Sequence, residues 1–256
     1  MKGNPMTGRP ITALSLTLFL LIINVHSAHS SDELLFFTND FPPYAFKEKG
    51  RFSGIAVDIV KELMNRTGDC GKICVMPWKR ALECSKRKTV MLFPYTRVPY
   101  REKQFKWIGP IMRDRFVFAV PASDNRNYTS IDDFRTVQVG VSVCTPTFHR
   151  LRELGFSRLQ IVLSEKQNAK KLTAVKRIDA WYAPYLILKY TLHALDIEEK
   201  KVRIAFRDKE VDMYIGTSLK VPDKTVAAWQ RNLDTMKKTV KYQALLSQNR
   251  YQWELP

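Results

Sequence analysis

Residues 90–107 read VMLFPYTRVPYREKQFKW and hold the features that decide the fold. The apolar run 90–93 predicts a buried strand, and the Pro-Tyr pair behind it predicts the strand's end. Two arginines, Arg97 and Arg101, follow directly. Because open α/β sheets bind ligands outside the carboxyl ends of their strands, both arginines are candidates to hold an anionic group. A solvated, basic start of a helix is the alternative interpretation.

Strand and helix patterns alternate on the N-terminal side of this stretch. Apolar residues with helical spacing at 55–66, closed by Gly68, predict an amphipathic helix. The other predicted elements are a strand at 34–37, a strand at 74–76 and a helix at 78–87. With the strand at 90–93 they make a βαβαβ pattern with short connections. This pattern predicts parallel strands with right-handed crossovers.

A second α/β unit is predicted on the C-terminal side, after an apolar strand at 116–120. Pro121 and the polar run 123–127 mark the boundary. Thr145 has the residue type and position of a helix N-cap, with proline behind it at the first helical position. The remaining predicted strands lie at 136–141, 159–163, 179–183 and 213–218, and the helices at 146–154, 167–175, 185–195 and 223–238. The alternation favours two α/β lobes.

Residues 1–30 have the features of a signal peptide: a basic start, an apolar run at 11–25 and small residues after it. Cleavage after Ser27 or after Ser30 suits the small-residue rule. The apolar run is short for a membrane span, and a retained N-terminal anchor is the alternative. The mature chain is therefore expected to be soluble and exported to the periplasm.

The chain is strongly basic. Its formal net charge is +17 at pH 7, and removal of Lys2 and Arg9 with the leader lowers the charge to +15. Such a field favours anionic partners, such as a carboxylate or phosphate ligand, an acidic protein or an anionic surface. Nucleic acid is not expected as a partner, because the basic residues are spread along the chain and no nucleic-acid module is recognisable.

Four cysteines in an exported chain indicate disulfide bonding. If the helix at 78–87 runs back antiparallel to the strand at 74–76, Cys84 returns near the start of that strand. We therefore predict one bridge from Cys84 to Cys74 or Cys70. A metal site is the alternative, but no histidine is near and the spacing matches no zinc pattern. Cys144 is left as a free thiol.

Several short motifs follow one another along the chain. They are Phe41-Pro42-Pro43-Tyr44, Gly54-Ile55-Ala56-Val57-Asp58, Pro77-Trp78-Lys79-Arg80-Ala81-Leu82, Thr96 through Arg101, Phe105-Lys106-Trp107-Ile108-Gly109-Pro110, Val139-Gly140-Val141, Ile178-Asp179-Ala180-Trp181 and Trp229-Gln230. In this order and spacing they resemble the periplasmic solute-binding proteins of the polar amino acid type, called solute-binding protein family 3. The resemblance covers about residues 34–246.

The resemblance implies a type II periplasmic binding fold. This is an α/β architecture of two lobes, each a mainly parallel sheet flanked by helices, joined by two crossover strands. Carried over, lobe 1 comprises residues 31–119 plus 212–256, and lobe 2 comprises residues 120–211. Such proteins close on a ligand like a hinged clamp.

The resemblance also implies a ligand-binding site. Arg101 holds the place of the arginine that pairs with the ligand's α-carboxylate, and its planar guanidinium suits a planar carboxylate. Thr96 and Arg97 belong to the same turn. Thr145 matches a residue that receives the carboxylate at the start of a second-lobe helix, and a plain N-cap is the alternative.

An aromatic residue in the first strand-to-helix loop of such proteins covers the ligand. Phe41 or Tyr44 matches this residue, and core packing is the alternative for either. The chain departs from the pattern at Ala183-Pro184, where an acidic residue usually holds the ligand's ammonium group. Cys144 replaces the usual glycine, and Pro146 removes a backbone donor. A ligand dominated by carboxylate, or a peptide fragment, is therefore as plausible as an ordinary L-amino acid.

The predicted function is capture of a small anionic or zwitterionic solute by a monomer that docks to the permease of an ABC-type importer. A sensory protein that docks to a membrane receptor is the alternative. A dehydratase-like enzyme on the same fold is a third, less favoured because His149 and His193, the histidines past the leader region besides His29 if it is retained, lie on predicted helices. No catalytic site, metal or cofactor is predicted.

Overall fold

The computed structural model describes residues 1, 3, 34–48 and 50–247. The predicted signal peptide, except for positions 1 and 3, lies outside these residues. In the described part of the chain, no helix combines the length and apolar character needed to cross a bilayer.

The described chain forms strands and helices in alternation. The strands are β1 (Leu35–Thr38), β2 (Phe46–Glu48), β3 (Arg51–Ser53), β4 (Ile73–Val75), β5 (Val90–Thr96), β6 (Phe105–Pro121), β7 (Val139–Ser142), β8 (Leu159–Val162), β9 (Ala180–Pro184) and β10 (Val202–Ser218). The helices are α1 (Ile55–Thr67), α2 (Trp78–Ser85), α3 (Pro146–Glu153), α4 (Glu165–Thr173), α5 (Tyr185–His193), α6 (Asp223–Lys237) and α7 (Val240–Ser247).

Eight strands form one sheet in the order β4-β1-β5-β10-β6-β9-β7-β8, and β2 pairs with β3 in a separate hairpin. The strands at both ends of the large sheet are parallel, as β1 is to β4 and β5, and as β7 is to β8 and β9. The middle of the sheet is antiparallel. The predicted mixed α/β class is confirmed, and so are the parallel strands of the first βαβαβ unit.

Apolar side chains pack in two main regions along this sheet. One region lies under α1 and α6, where Phe36, Leu63 and Trp229 are fully buried. The other surrounds Phe118 and Phe134, whose ring centroids are 3.9 Å apart. Full burial of one such side chain stabilises the fold by roughly 1.5–3 kcal/mol. Strands β6 and β10 contribute side chains to both regions.

Two helix boundaries follow the local sequence signals. Helix α1 ends at Gly68, which adopts the left-handed conformation and donates its N–H to the carbonyl of Met64 at 2.9 Å. At its other end Gly54 is required, because a Cβ there would lie 2.5 Å from the carbonyl oxygen of Tyr44. Helix α3 begins behind Thr145, whose side chain accepts from the N–H of Phe148.

Three strands are longer than predicted. Strand β5 continues through Pro94 to Thr96, because its pairing with β10 shifts register at this point and the proline's missing N–H breaks no regular ladder. Strands β6 and β10 each contain 17 residues, whereas the sequence predicted only their apolar parts. Charged side chains such as Arg207 and Glu210 interrupt the apolar pattern there, although both residues remain paired with β6.

The predicted disulfide is not supported. Cys70, Cys74 and Cys84 are all free thiols, as is Cys144. Cys74 and Cys84 pack against the same apolar cluster around Leu92, so both sulfurs are used in core packing. Cys70 lies in the turn before β4, is exposed and has its Sγ 3.8 Å from the carbonyl oxygen of Gly68.

Candidate functional site

Two adjoining cavities open where several parallel strands end. The first, called the Thr145 cavity, has a volume of about 410 Å³. Its lining comprises Asn39, Phe41, Trp78, Leu82, Pro94, Tyr95, Thr96, Arg101, Phe116, Val143, Cys144, Thr145, Pro146, Thr147, Glu165, Pro184, Ile187, Val211 and Met213. Residues at or just beyond the carboxyl ends of β1, β5, β7 and β9 therefore share one cavity, as expected for an α/β sheet.

The second cavity, called the His149 cavity, has a volume of about 520 Å³. It shares Thr96, Arg101 and Phe116 with the Thr145 cavity, so the two are parts of one cleft. Its other lining residues include both acids and bases, such as Arg150 and Glu210. Both volumes lie within the range of small-molecule sites.

Arg101 lies where the two cavities meet, in a short 3-10 turn directly after β5. Its Nη1 donates to the carbonyl oxygen of Thr96 at 3.0 Å, and its guanidinium carbon lies 4.2 Å from the ring centroid of Tyr95. Within the described chain we find no carboxylate ion-paired with it. These contacts orient the guanidinium while leaving its charge available to an anion.

Arg97 differs from Arg101 because its charge already has a partner. Its Nε donates to Oε2 of Glu102 at 2.9 Å, and this ion pair lowers the pKa of Glu102. The guanidinium also lies over the rings of Trp107 and Tyr214, with distances of 5.6 and 5.7 Å to their centroids. Arg97 lines only the His149 cavity.

The hydroxyl of Thr145 is committed to the start of α3. It donates to the carbonyl oxygen of Ser142 at 2.6 Å and accepts from the N–H of Phe148 at 3.1 Å. It also lies 2.8 Å from Oγ1 of Thr147. The N–H of Thr147 belongs to the first helical turn, where backbone donors have no intrahelical acceptor, so it remains suited to an anion at the cavity.

The two aromatic candidates occupy different environments. Phe41 lines the Thr145 cavity and its ring lies 5.2 Å from that of Tyr44. Tyr44 is fully buried, lines neither cavity and donates its hydroxyl to Asp114. Of the two candidates, Phe41 is therefore the one that lines the cavity, whereas Tyr44 is packed in the core.

Asp114, on β6, is a buried acid that sequence reasoning missed. Its carboxylate accepts from the hydroxyl of Tyr44, from the N–H of Arg115 at 2.6 Å and from the N–H of Leu186 at 3.2 Å. Burial raises its pKa to about 6. Asp114 thus joins the first loop, the central strand β6 and the start of α5.

Glu165 was also missed, because the sequence predicted a helix starting only at 167. In the structure Glu165 is the first residue of α4 and lines the Thr145 cavity. Its Oε2 accepts from Nε1 of Trp181 at 2.7 Å and from Nδ2 of Asn168 at 2.9 Å. Burial raises the pKa of its carboxyl group. A Ser-Glu pair directly after an apolar strand was the signal that could have revealed it.

The structure brings four of the sequence-predicted residues, Thr96, Arg101, Phe41 and Thr145, to the Thr145 cavity. His149 is exposed on α3, and His193 is exposed on α5. Across the described residues, no cluster of three or more histidine, cysteine, aspartate or glutamate side chains is arranged to hold a metal ion.

Comparison with known proteins adds a sequence match and several structural matches. The sequence model of the bacterial extracellular solute-binding proteins, family 3, matches residues 35–250. No curated protein sequence matches the chain.

Three solved structures illustrate the structural likeness. An ancestral arginine-binding protein bound to arginine has a TM-score of 0.69 at 16% identity, over 84% of this chain and 97% of its own. A histidine kinase sensor domain with similarity to periplasmic binding proteins has a TM-score of 0.71 at 15% identity, over 84% and 94%. The arginine-, lysine-, histidine-binding protein ArtJ from Geobacillus stearothermophilus has a TM-score of 0.69 at 14% identity, over 88% and 97%. At these identities the likeness shows the fold alone.

Proposed function

Because the chain belongs to the bacterial extracellular solute-binding proteins of family 3, we propose that it captures a small carboxylate-bearing solute, an amino acid or a related molecule, for an ABC-type importer. The family and the predicted signal peptide support a periplasmic or otherwise extracellular location. The solute would bind in the Thr145 cavity, whose volume of about 410 Å³ suits a small molecule.

One observation carries the proposal: Arg101 presents a guanidinium to the cavity without an ion-paired carboxylate in the described chain. A partly buried charge without an ionic partner gains from an opposite charge brought by a ligand. The planar fork matches a carboxylate with two parallel hydrogen bonds. Arg97 is already paired with Glu102, so it gains less from the carboxylate of a ligand.

Two predicted residues, Thr145 and Phe41, and two further residues of the cavity complete the proposed binding arrangement. Thr147 lines the cavity from the first turn of α3, where free backbone N–H groups and the helix dipole favour negative charge. The Thr145 hydroxyl supports this role indirectly, by capping the helix. Phe41 and Tyr95 supply aromatic surface to the same cavity.

A thermal-shift screen tests the proposal. The probes are L-amino acids, di- and tricarboxylates, short peptides and cyclic phosphates, and a probe at 100 times its Kd adds about 2.7 kcal/mol to the stability of the folded state. We expect at least one carboxylate-bearing probe to raise the melting temperature. Its affinity should fall about 30-fold or more in Arg101→Ala.

The matched comparison is Arg101→Lys against Arg97→Lys. Both variants keep the positive charge and remove the planar fork, so they separate bidentate recognition from net charge. Arg101→Lys should lower the affinity for the probe about tenfold. Arg97→Lys should have a much smaller effect. Unchanged affinity in Arg101→Ala, with an unchanged melting temperature of the free protein, would remove Arg101 from the site.

The same cleft suits a sensory protein that docks to a membrane receptor instead of a permease. The likeness to a histidine kinase sensor domain favours keeping this second candidate. Binding measurements on the isolated protein do not separate the two functions, since both use capture of a solute. Adjoining genes for a permease and an ATPase would support import, whereas a gene for a signalling membrane protein would support sensing.

A further inference from the structure

The Thr145 cavity contains a second charged group, to which the resemblance to family 3 assigns no role. Among its described lining residues, Arg101 and Glu165 are the two with ionisable charge at neutral pH, and the others are apolar or neutral. They come from different parts of the chain, after β5 and after β8. The cavity therefore offers one positive and one negative group to whatever occupies it.

Glu165 has hydrogen-bond donors but no cationic neighbour in the described chain. Its Oε2 accepts from the indole N–H of Trp181 and from the amide of Asn168, and the side chain of Ser142 also donates to the carboxylate. All three donors are neutral. They hold the carboxylate in place while leaving its charge without an opposite charge.

Arg101 does not neutralise Glu165, since no ion pair joins them in the described structure. Each of these two charges is desolvated to some degree and lacks an ionic partner. Leaving a buried charge unpaired is unfavourable, so a ligand that carries both signs gains from both contacts. A plain mono- or dicarboxylate satisfies Arg101 but brings like charge towards Glu165.

We propose that Glu165 binds the positively charged group of the solute and thereby selects a zwitterion, such as an α-amino acid, over a plain carboxylate. The inference rests on the proposed function, because Arg101 must hold the carboxylate end. Pro184, which stands where the family's usual acidic residue would be, lines the same cavity without a charge. In this chain the negative charge comes instead from the first turn of α4.

A purely structural role for Glu165 makes a different prediction. Its hydrogen bond to the fully buried Trp181 stabilises the packing between α4 and β9. If that were all, loss of the charge would lower the melting temperature and leave the ranking of ligands unchanged. The test therefore needs both a stability readout and a comparison of probes.

The experiment is isothermal titration of the wild-type chain and of Glu165→Gln with matched probes. L-glutamate is compared with glutarate, which lacks the ammonium group, and L-arginine with agmatine, which lacks the carboxylate. L-glutamine serves as a neutral-side-chain amino acid. Glu165→Asp keeps the charge on a shorter side chain, and Glu83→Gln removes one acidic charge from the exposed face of α2 as the control.

We expect the wild type to bind at least one of the amino acids about 100-fold more tightly than its deaminated or decarboxylated counterpart. Glu165→Gln should lower the affinity for that amino acid about tenfold or more. The ratio of its affinity to that for glutarate should also fall. Glu83→Gln should match the wild type. The preference within wild-type protein does not depend on any variant folding well.

Two results would overturn the inference, and they differ in what they leave standing. One result is that the wild type binds glutarate as tightly as L-glutamate, or that Glu165→Gln keeps the full preference for the amino acid. Glu165 then does not bind the positively charged group of the solute, and the proposed carboxylate-binding function still stands. If no carboxylate-bearing probe binds the wild type, the proposed function fails and the inference fails with it.

Discussion

Asp114 shows how one side chain ties three segments together. Its carboxylate accepts from Tyr44 in the first loop, from the N–H of Arg115 on its own strand and from the N–H of Leu186 at the start of α5. These donors favour the charged form, but desolvation outweighs them and raises the pKa to about 6. The folded protein therefore holds this proton more tightly than the unfolded chain does.

This raised pKa has a consequence for stability. Between about pH 4 and pH 6 the folded state binds more protons at Asp114 than the unfolded state, so the free energy of unfolding falls as the pH rises. A rise of about two pKa units corresponds to about 3 kcal/mol. This contribution is fully present below pH 4 and is lost above pH 6.

The prediction is tested with Asp114→Asn by urea unfolding from pH 4 to pH 7. The variant should be destabilised at every pH, because the acceptors for Tyr44 and Leu186 are changed. The difference between wild type and variant should shrink by about 3 kcal/mol as the pH rises. Parallel pH profiles for the two proteins would contradict the assignment of the raised pKa to Asp114.

At the scale of elements, the start of α3 serves both the fold and the cavity. Thr145 caps the helix, and the first turn lines the Thr145 cavity with Pro146 and Thr147. Cys144, with a φ of 58°, sets the turn into the helix in the left-handed region. A change in the cap is therefore expected to alter the backbone of the first turn, which lines the cavity.

Thr145→Ala should lower the free energy of unfolding by about 1 kcal/mol, and Thr145→Ser should restore most of it. The same alanine variant should also bind the probe with lower affinity, because the first turn of α3 is less well ordered without its cap. Ser130→Ala is the matched control, since Ser130 caps a short 3-10 helix that lines neither cavity. An equal loss of affinity in both variants would show that lower stability, not the cap's position, weakens binding.

At the scale of the molecule, β6 and β10 link the two apolar regions. Each strand has 17 residues, and the two pair along their length with several shifts of register. Along the sequence, Arg101 precedes β6, and Thr145 lies between β6 and β10. The cleft therefore takes residues from segments before and after β6. The predicted lobes, 31–119 plus 212–256 and 120–211, stay a prediction that this arrangement motivates.

If the lobes close on the solute, small-angle scattering should show a smaller radius of gyration with a saturating probe than without one. Closure follows because contacts from both sides of the cleft exist together only in the closed state, so the ligand shifts the population towards it. Arg101→Ala, at the same probe concentration, should keep the radius of the free protein. An unchanged radius in saturated wild type would argue against a moving hinge.

The sequence by itself determined the features that depend on near neighbours. Hydrophobic periodicity predicted the α/β class and α1, and Gly68 and Thr145 marked helix ends. Its position after an apolar strand made Arg101 a candidate, and its role stays a prediction. These signals are reliable because periodicity and capping involve residues within one or two turns of each other.

Only the tertiary structure decided which charged groups have partners. Tyr44 and Asp114 are 70 residues apart and share a hydrogen bond, and no local pattern indicates it. The same holds for Glu165, whose bond to Trp181 and place in the same cavity as Arg101 depend on how β5, β8 and β9 are arranged in space. Whether a charge is paired depends on which distant segments the fold brings within hydrogen-bond reach, and that is settled by packing.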